Sequence, residues 1–146
     1  PWGRPDMMMW IFTKKIMGGE PIPVFNHGDM WRDFTFIEDI VTGVVSALDN
    51  PPPDDGTEKA GGSLKPHRLY NIGNHKSEHL MKVIGILEQE LGRKAVIDFQ
   101  PIQPGDVPRS FADIDAISAD LGFAPTTSIE AGVPAFVRWY RDFYGA

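Results

Sequence analysis

The sequence contains no cysteine and no long run of apolar residues. The missing cysteine excludes disulfides, thiolate nucleophiles and Cys-ligated metals, and it is typical of a reducing compartment. A membrane-spanning helix needs roughly 20 apolar residues in a row, and the first residues have neither the basic region nor the apolar stretch of a signal peptide. We therefore expect a cytoplasmic protein with no membrane partner.

Positive charge is also scarce, because 20 carboxylates outnumber 14 Lys and Arg among 146 residues and the net charge is −6. Nucleic acids and anionic membranes are bound through a positive field, so the composition argues against both partners. A phosphate ligand would have to be held by a few local arginines. The hydrophobic content of 42% is sufficient for a compact core, and we expect a single domain over residues 1–146.

The usual signatures of cofactor binding and catalysis are missing too. The sequence has no Gly-x-Gly-x-x-Gly, no phosphate loop and no Tyr-x-x-x-Lys pair. His75 and His79 have the spacing of a metal-binding pair, but no third ligand is evident, so a solvated helix start is favoured and no metal is expected. One group of carboxylates could act as an acid/base cluster, although turn and helix-capping duties explain it better. This group consists of Asp29, Asp33, Glu38 and Asp39.

Apolar periodicity predicts helices alternating with short strands, and therefore an α/β or α+β fold. Helices are predicted over 6–17, 38–48, 77–91 and 113–121 and from 127 onward, with Asp6, Ser77, Asp113 and Thr127 as N-terminal caps. Strands are predicted over 21–25, 32–37, 68–72 and 95–99. Residues 50–67 are mostly polar, Pro and Gly, which predicts a flexible, protease-sensitive loop inside the domain. The prolines of 101–108 predict an ordered loop.

Two arginines stand in positions that restrict their orientation. Arg4 lies between two prolines, and Arg32 begins a predicted strand directly after a Gly-containing loop. Fixed guanidinium groups suit bidentate recognition of phosphate or carboxylate, although surface salt bridges fit the pattern equally well. The chain also opens inside a Pro/Gly turn without an initiator Met, so we expect it to be a piece of a longer protein.

Four motifs in sequence resemble those of a known family. Pro1–Met7 looks like the segment after a late Rossmann strand in UDP-glucuronate 4-epimerases. Residues 32–40 are similar to the Arg-Asp-Phe/Tyr strand of extended short-chain dehydrogenase/reductases, residues 70–73 to their Tyr-Asn-Ile/Leu-Gly strand, and residues 103–107 to their Pro-Gly-Asp loop. The chain thus resembles the carboxyl-terminal, substrate-binding part of the nucleotide-sugar epimerases and dehydratases within this group.

The resemblance implies a parent enzyme that binds NAD in an amino-terminal Rossmann domain. Such an enzyme oxidises C4 of a UDP-sugar through a Tyr/Lys pair and returns the hydride to the other face. None of those residues is in this chain, so we expect no catalytic and no cofactor-binding residue here, and no activity from the chain alone. The expected structure is an α+β lobe of several helices with short strands, whose partners are a UDP-sugar and the missing Rossmann domain.

The resemblance also implies roles for individual residues. Arg4 and Arg32 would contact the nucleotide and its diphosphate, Phe25 with the Pro23 backbone would contact the uracil, and Asp106 would accept hydrogen bonds from ribose hydroxyls. These roles follow from motif position only.

Gln103 departs from the pattern of many UDP-galactose epimerases, which place an arginine on the pyrophosphate at this point. The change removes a charge-assisted hydrogen bond of about 1.5–3 kcal/mol. It therefore weakens the interpretation that the sugar nucleotide is UDP-galactose and leaves the interpretation that it is UDP-glucuronate. Two alternatives stay open: a non-catalytic nucleotide-sugar binding or interaction module, and the same lobe of a UDP-sugar dehydratase or decarboxylase. Without a Rossmann domain, Met7, Met8, Trp10 and Ile11 are expected to form an exposed apolar patch that causes self-association.

Overall fold

The computed structural model describes residues 6–145, in which five α-helices alternate with short strands. The order is α1 (Met8–Gly18), β1 (Pro21–Val24), a 3₁₀ turn (Asn26–Gly28), β2 (Trp31–Asp33), α2 (Ile37–Asp49), β3 (Ser77–His79), α3 (Leu80–Leu91), β4 (Val96–Phe99), α4 (Asp115–Leu121) and α5 (Ile129–Tyr144). The expected combination of several helices with short strands is confirmed.

The chain groups into two compact units. Unit 1 comprises the residues up to Arg32, Glu78–Arg109 and the residues from Ile129 onward, and unit 2 comprises Asp33–Ser77 and Ser110–Ser128. The single domain over residues 1–146 stays a prediction.

Unit 1 is built around the parallel pair β1 and β4, which runs in register from Pro21 opposite Val96 to Val24 opposite Phe99. Ile22 and Val24 are fully buried, as the alternation of side chains along a strand requires. Helix α1 packs on β1 and α3, and α3 packs on α5. A second pair of strands, β2 and β3, completes the regular structure.

Helix α5 covers α1 with aromatic side chains. The ring of Trp10 makes edge-to-face contacts with four rings of α5 and is only 9% exposed. These rings belong to Phe136, Trp139, Tyr140 and Tyr144. The prediction of an exposed patch is therefore wrong for Trp10, because the aromatic rings of α5 bury it. Of the other three predicted residues, Met8 and Ile11 are partly buried and only Met7 is well exposed.

The helix boundaries differ from those predicted where strand pairing competes with capping. Ser77 was expected to cap α3, but it lies in β3, and the helix begins three residues later at Leu80. Met7 rather than Asp6 precedes α1, without a side-chain cap. Gly19 and Gly92 have left-handed backbones with φ of 72° and 66°, so the predicted glycine stops of α1 and α3 are confirmed.

The last two helices also begin later than predicted. Asp113 accepts a hydrogen bond from the Asp115 N–H at 3.0 Å, but Ile114 is the residue that precedes α4. Thr127 does not open α5, which begins at Ile129, and the Thr127 N–H donates to the Asp39 carboxylate at 3.0 Å.

Unit 2 has a small core formed by Ile114, Ile117 and Phe123, against which Tyr70 and Ile72 pack. The strand predicted over 68–72 is wrong, since this segment belongs to no regular strand. The Leu69 N–H donates to the Ala60 carbonyl at 2.9 Å. This is a single hydrogen bond, whereas a strand needs a neighbouring strand that is hydrogen-bonded along its length, and the described part of the chain places no such strand beside residues 68–72. The predicted strand over 32–37 likewise ends at Asp33.

Asp39 holds unit 2 together from the first turn of α2. It is 6% exposed, and its carboxylate accepts hydrogen bonds from both N–H and hydroxyl of Thr126 and from the N–H of Thr127, at 3.0–3.1 Å. Burial by itself would raise the pKa of Asp39, but these hydrogen bonds outweigh burial and hold the pKa below its ordinary value. The carboxylate therefore stabilises the fold in its charged form.

The loop over 50–67 has no helix or regular strand, which confirms the prediction of irregular structure. The sequence did not indicate that Lys59 closes the loop. Its side chain is 1% exposed, and its ammonium donates to Asp55 Oδ1 at 2.6 Å and to the Thr57 carbonyl at 2.7 Å. Lys59 also bridges to Ser63 through the backbone. The mobility of the loop stays a prediction.

The row of aliphatic side chains on α2 faces solvent. Five residues at helical spacing are between 47% and 77% exposed: Ile37, Val41, Val44, Val45 and Leu48. We call this the α2 face. Gly43, on the buried side of the helix, packs on Ile72, where an added Cβ would lie 3.0 Å from a methyl group. Unit 2 thus carries a row of exposed aliphatic side chains, whereas an exposed apolar patch was expected near the start of the chain.

We predict that Asp39→Asn lowers the free energy of unfolding by about 1–3 kcal/mol at pH 7, because hydrogen bonds to a buried charge are lost. Urea unfolding measures the difference. The folded pKa is lowered, so the contribution of Asp39 is present above its unfolded pKa of about 3.9 and is lost as the pH falls through the folded pKa. The gap between variant and wild type should therefore shrink below about pH 4.

The matched control is Asp49→Asn, because Asp49 is an exposed carboxylate on the same helix. It should change stability by less than about 0.5 kcal/mol. Equal stabilities of Asp39→Asn and Asp49→Asn at pH 7 would contradict the role given to Asp39.

Removing the acceptor of Lys59 should open the loop. We predict that Asp55→Ala speeds cleavage after the exposed Glu58 by a glutamate-specific protease several-fold, because a buried ammonium loses its carboxylate. Mass spectrometry of timed digests measures the rate. Asp54→Ala, at the exposed neighbouring position, should leave the rate unchanged, and identical rates for the two variants would show that the ion pair does not close the loop.

Candidate functional site

The carboxyl ends of β1 and β4 meet at one edge because the two strands are parallel. The Gln100 N–H donates to the Val24 carbonyl at 2.9 Å, and the His27 N–H donates to the Gln100 carbonyl at 3.1 Å. The segment after β1, which begins with Phe25, and the loop after β4 therefore start side by side. Ligands of α/β proteins commonly bind outside the carboxyl ends of parallel strands.

A tight turn follows Phe25. The Gly28 N–H donates to the Phe25 carbonyl at 3.0 Å, and the central residues Asn26 and His27 both have positive φ, 48° and 51°. This is the geometry of a type I′ turn, in which Asn is favoured because it tolerates the left-handed region. The Asn26 side chain donates to the Asp29 carbonyl at 2.7 Å. Phe25 and Pro23 before it, both partly buried, are thus held at the strand end.

A second turn presents Asp106. The Asp106 N–H donates to the Gln103 carbonyl at 3.1 Å, and Gly105 has φ of 84°. Pro104 before a positive-φ glycine is the signature of a type II turn, so the loop is ordered by residues visible in the sequence. Within the carboxylate, Oδ1 accepts the Val107 N–H at 2.8 Å.

Arg32 lies against this loop. Its Nη2 donates to Asp106 Oδ1 at 2.7 Å, and its Nη1 donates to the Trp31 carbonyl at 2.9 Å and to the Pro108 carbonyl at 3.3 Å. The two charged side chains are 27% and 33% exposed, so they remain accessible from solvent. The Trp31 N–H also donates to the Pro108 carbonyl at 2.8 Å, which fixes β2 beside the loop.

The structure therefore brings Arg32 against Asp106, with Gln103 in the same turn as Asp106, and it places Pro23 and Phe25 at the end of β1 next to the adjoining turn. Arg4 lies outside the described residues. A partly exposed guanidinium beside a carboxylate can bind an oxyanion and a hydroxyl group.

Sequence reasoning missed that the Trp31 ring of β2 contacts a cation and a second ring. The Arg109 guanidinium lies 5.3 Å from the centre of the Trp31 ring, and the His79 ring meets the same indole edge-on at 4.9 Å. A cation–π contact of this kind adds about 0.5–1 kcal/mol at an exposed site. No local pattern indicates it, because Arg109 and Trp31 are neighbours only through the bridge between β2 and the loop.

Asp33 follows Arg32 and has a structural role in unit 2. Its carboxylate accepts the N–H groups of Asn74, His75 and Ala112 at 2.9–3.1 Å. His75 has φ of 55°, a left-handed conformation that these hydrogen bonds hold in place. The interpretation of this carboxylate as a turn-stabilising group, rather than an acid or base, is supported by its three backbone donors.

No three His, Asp or Glu side chains within residues 6–145 come together as a metal site would require. Of the helices in the same range, none combines the length and apolar character of a membrane span.

Residues 7–136 match the family model described as GDP-mannose 4,6 dehydratase. The chain is 41% identical to Protein CapI of Staphylococcus aureus and 41% identical to a protein named probable UDP-glucuronate 4-epimerase from Rhizobium meliloti (strain 1021). Both alignments cover 99% of this chain, but only 45% and 44% of those relatives. The chain thus spans less than half the length of the curated relatives that it matches.

Solved structures give the same picture. The chain superposes with a TM-score of 0.82 on UDP-glucuronic acid 4-epimerase from Bacillus cereus in complex with UDP-glucuronic acid and NAD, at 28% identity, over 99% of this chain and 42% of that one. A dTDP-glucose 4,6-dehydratase, DesIV from Streptomyces venezuelae, gives a TM-score of 0.79 over 99% of this chain and 41% of that one, at 23% identity, which shows the fold alone. The family match and these relatives confirm the resemblance carried by the four motifs: the chain belongs to the GDP-mannose 4,6 dehydratase family of nucleotide-sugar epimerases and dehydratases.

Proposed function

We propose that this chain is the UDP-sugar-binding lobe of an NAD-dependent 4-epimerase, with UDP-glucuronate as its substrate. The observation that carries the proposal is Arg32 held beside Asp106 where the loop after β4 meets β2. The names of relatives support the sugar, because the probable epimerase of Rhizobium meliloti and the Bacillus cereus enzyme are both named for glucuronate.

In this proposal each site residue has one contact. Arg32 binds the diphosphate, Asp106 accepts from the ribose hydroxyls, and Phe25 with the Pro23 backbone contacts the uracil. Gln103 stands beside the diphosphate as a neutral hydrogen-bonding group, and Arg4 adds a second cation. All of these groups bind the nucleotide, and none exchanges a proton or hydride with the substrate. In this proposal the lobe therefore binds the nucleotide and takes no part in the chemical step.

Residues 6–145 do not fit an NAD site. A dinucleotide fold holds the pyrophosphate at a glycine-rich turn between a parallel strand and a helix. In residues 6–145, β1 is followed by the Asn26–Gly28 turn and β2, and β4 is followed by the proline-containing loop. We propose that NAD is bound by an amino-terminal Rossmann domain, that the chain alone is inactive, and that the complete enzyme is cytoplasmic.

The α2 face supports a role for that missing domain. An exposed row of five aliphatic side chains is unusual for a helix in contact with water alone. The relatives are more than twice as long as this chain, so the protein portion that could cover the row is large. We propose that the amino-terminal domain packs on the α2 face.

The chain should bind UDP with an affinity in the millimolar range. A few contacts of about 1–3 kcal/mol each must offset an association cost of several kcal/mol. Arg32→Ala should abolish binding, and Arg32→Lys should lose most of it because the bidentate geometry is gone. NMR titration and calorimetry measure the affinities.

Arg138→Ala is the matched control, because Arg138 is an exposed arginine on α5 away from the site. Equal UDP binding by wild type and Arg32→Ala would remove Arg32 from the site. An NMR epimerisation assay on a chain that includes the amino-terminal domain tests the reaction, and turnover to a dehydrated or decarboxylated sugar would favour the other activities of the family. UDP binding with no turnover of any kind in that longer chain would favour a non-catalytic module.

Charge on the α2 face should prevent self-association. We expect the wild-type chain to form dimers or larger species at high concentration, and Val41→Glu with Leu48→Glu to be monomeric with unchanged helix content, because both positions already face solvent. Light scattering coupled to size exclusion measures the mass. Thr42→Glu, an exposed polar position on the same helix, is the control and should associate like wild type. A monomeric wild type at high concentration would contradict the prediction.

A further inference from the structure

The indole ring of Trp31 lies on the face of β2 opposite to Arg32. Successive side chains of a strand point to opposite faces, so these two neighbours share a backbone but have different surroundings. The Arg109 guanidinium lies 5.3 Å from the centre of the indole ring, and the His79 ring meets the same indole edge-on at 4.9 Å. The face of β2 away from Arg32 is therefore packed by a cation and a second ring.

The backbone next to the contact of Trp31 with Arg109 is also the backbone that holds Arg32. Trp31 and Arg109 form a parallel bridge, and the Trp31 N–H donates to the Pro108 carbonyl at 2.8 Å. Arg32 Nη1 donates to the Trp31 carbonyl at 2.9 Å and to the same Pro108 carbonyl at 3.3 Å. The peptide units that carry these carbonyls lead directly into Arg32 and Arg109, so a shift at Arg109 moves an acceptor of Arg32.

The backbone pairing of this loop with β2 is short. Strand β2 has three residues, and the bridge between Trp31 and Arg109 is an isolated one. A single bridge opens more easily than a continuous ladder, so a side-chain contact beside it adds to its persistence. Arg109 is exposed and forms no ion pair within residues 6–145, and the indole is the group against which its guanidinium rests.

We infer that Trp31 and Arg109 are positioning residues, whose cation–π contact keeps the Pro108 carbonyl against β2 and thereby fixes the direction of the Arg32 guanidinium. At an exposed site such a contact shifts an equilibrium about two- to fivefold. Arg109 acts through the backbone, because its guanidinium lies over the ring on the face opposite to Arg32. The inference rests on the proposed function for the ligand of Arg32, whereas the orientation of Arg32 is measurable without any ligand.

The test measures the rotation of the Arg32 guanidinium by nitrogen NMR of the full chain, together with UDP affinity. Arg109→Gln keeps the backbone bridge and most of the side-chain stem but removes the charge over the ring. Exchange between the two Nη groups of Arg32 should become about two- to fivefold faster in Arg109→Gln and in Trp31→Leu, and UDP affinity should fall by the same factor. The double variant should lose no more than either single variant, because the two changes remove one contact.

Conservative variants and a distant arginine serve as controls. Arg109→Lys keeps a cation over the ring and Trp31→Phe keeps a ring below the cation, so both should retain part of the effect. Arg138→Gln removes the same charge from an exposed position on α5 and should leave the Arg32 rotation and UDP affinity unchanged. Thermal unfolding is measured for each variant, since a purely structural role lowers the unfolding temperature and leaves the rotation of Arg32 as in wild type.

Wild-type rotation of Arg32 in both Arg109→Gln and Trp31→Leu would overturn the inference. A further loss of UDP affinity when Arg109→Gln is added to Trp31→Leu would also overturn it, because Arg109 would then act on the ligand itself. Failure of the proposed function has a different signature. Equal UDP binding by wild type and Arg32→Ala removes Arg32 from the nucleotide site, while the rotation of its guanidinium still reports whether Trp31 and Arg109 position it.

Discussion

Ile22 and Val24 anchor β1 in the core of unit 1, and the parallel pairing of this strand with β4 is the constraint on which the candidate site depends. Parallel strands end at the same edge, so the turn after β1 and the loop after β4 begin together. An antiparallel pair would have placed them at opposite ends. The hydrogen bonds at Gln100 continue the pairing beyond the strands and hold the two segments to each other.

The rest of the described site is arranged around Arg32. The chain is acidic overall, so any positive potential at the site is local and comes from Arg32, whose side chain is held with defined geometry. Backbone carbonyls of Trp31 and Pro108 provide that geometry, and they do so without neutralising the charge. Asp106 does neutralise it, so the Arg32–Asp106 pair carries little net charge.

Two carboxylates elsewhere in the chain accept hydrogen bonds from backbone N–H groups. Asp33 and Asp39 each accept from main-chain N–H groups of distant segments, and these segments have no regular strand or helix to use those donors. Charged acceptors make stronger hydrogen bonds than neutral ones, so a short polar side chain can fix an irregular segment. Both carboxylates therefore have the structural roles that turn and capping duties predicted.

Local patterns determined much of this protein. The periodicity of α1, α2 and α3, the glycine stops at Gly19 and Gly92, and the type II turn at Pro104–Gly105 all follow from near neighbours, since helix and turn formation depend on residues a few positions apart. The motif order also indicated the family, and two of the residues that it singled out, Arg32 and Asp106, form an ion pair.

Contacts between distant segments were decided only by the tertiary structure. Residues 68–72 have the composition of a strand but form no regular strand within residues 6–145. Trp10 is covered by α5, and the aliphatic row of α2 faces solvent instead of a core. The Arg32–Asp106 ion pair and the contact of Arg109 with Trp31 join β2 to a loop more than 70 residues away. A sequence pattern shows which side chains can be buried or paired, but the choice of partner depends on which segments the folded chain brings within a few ångströms of each other.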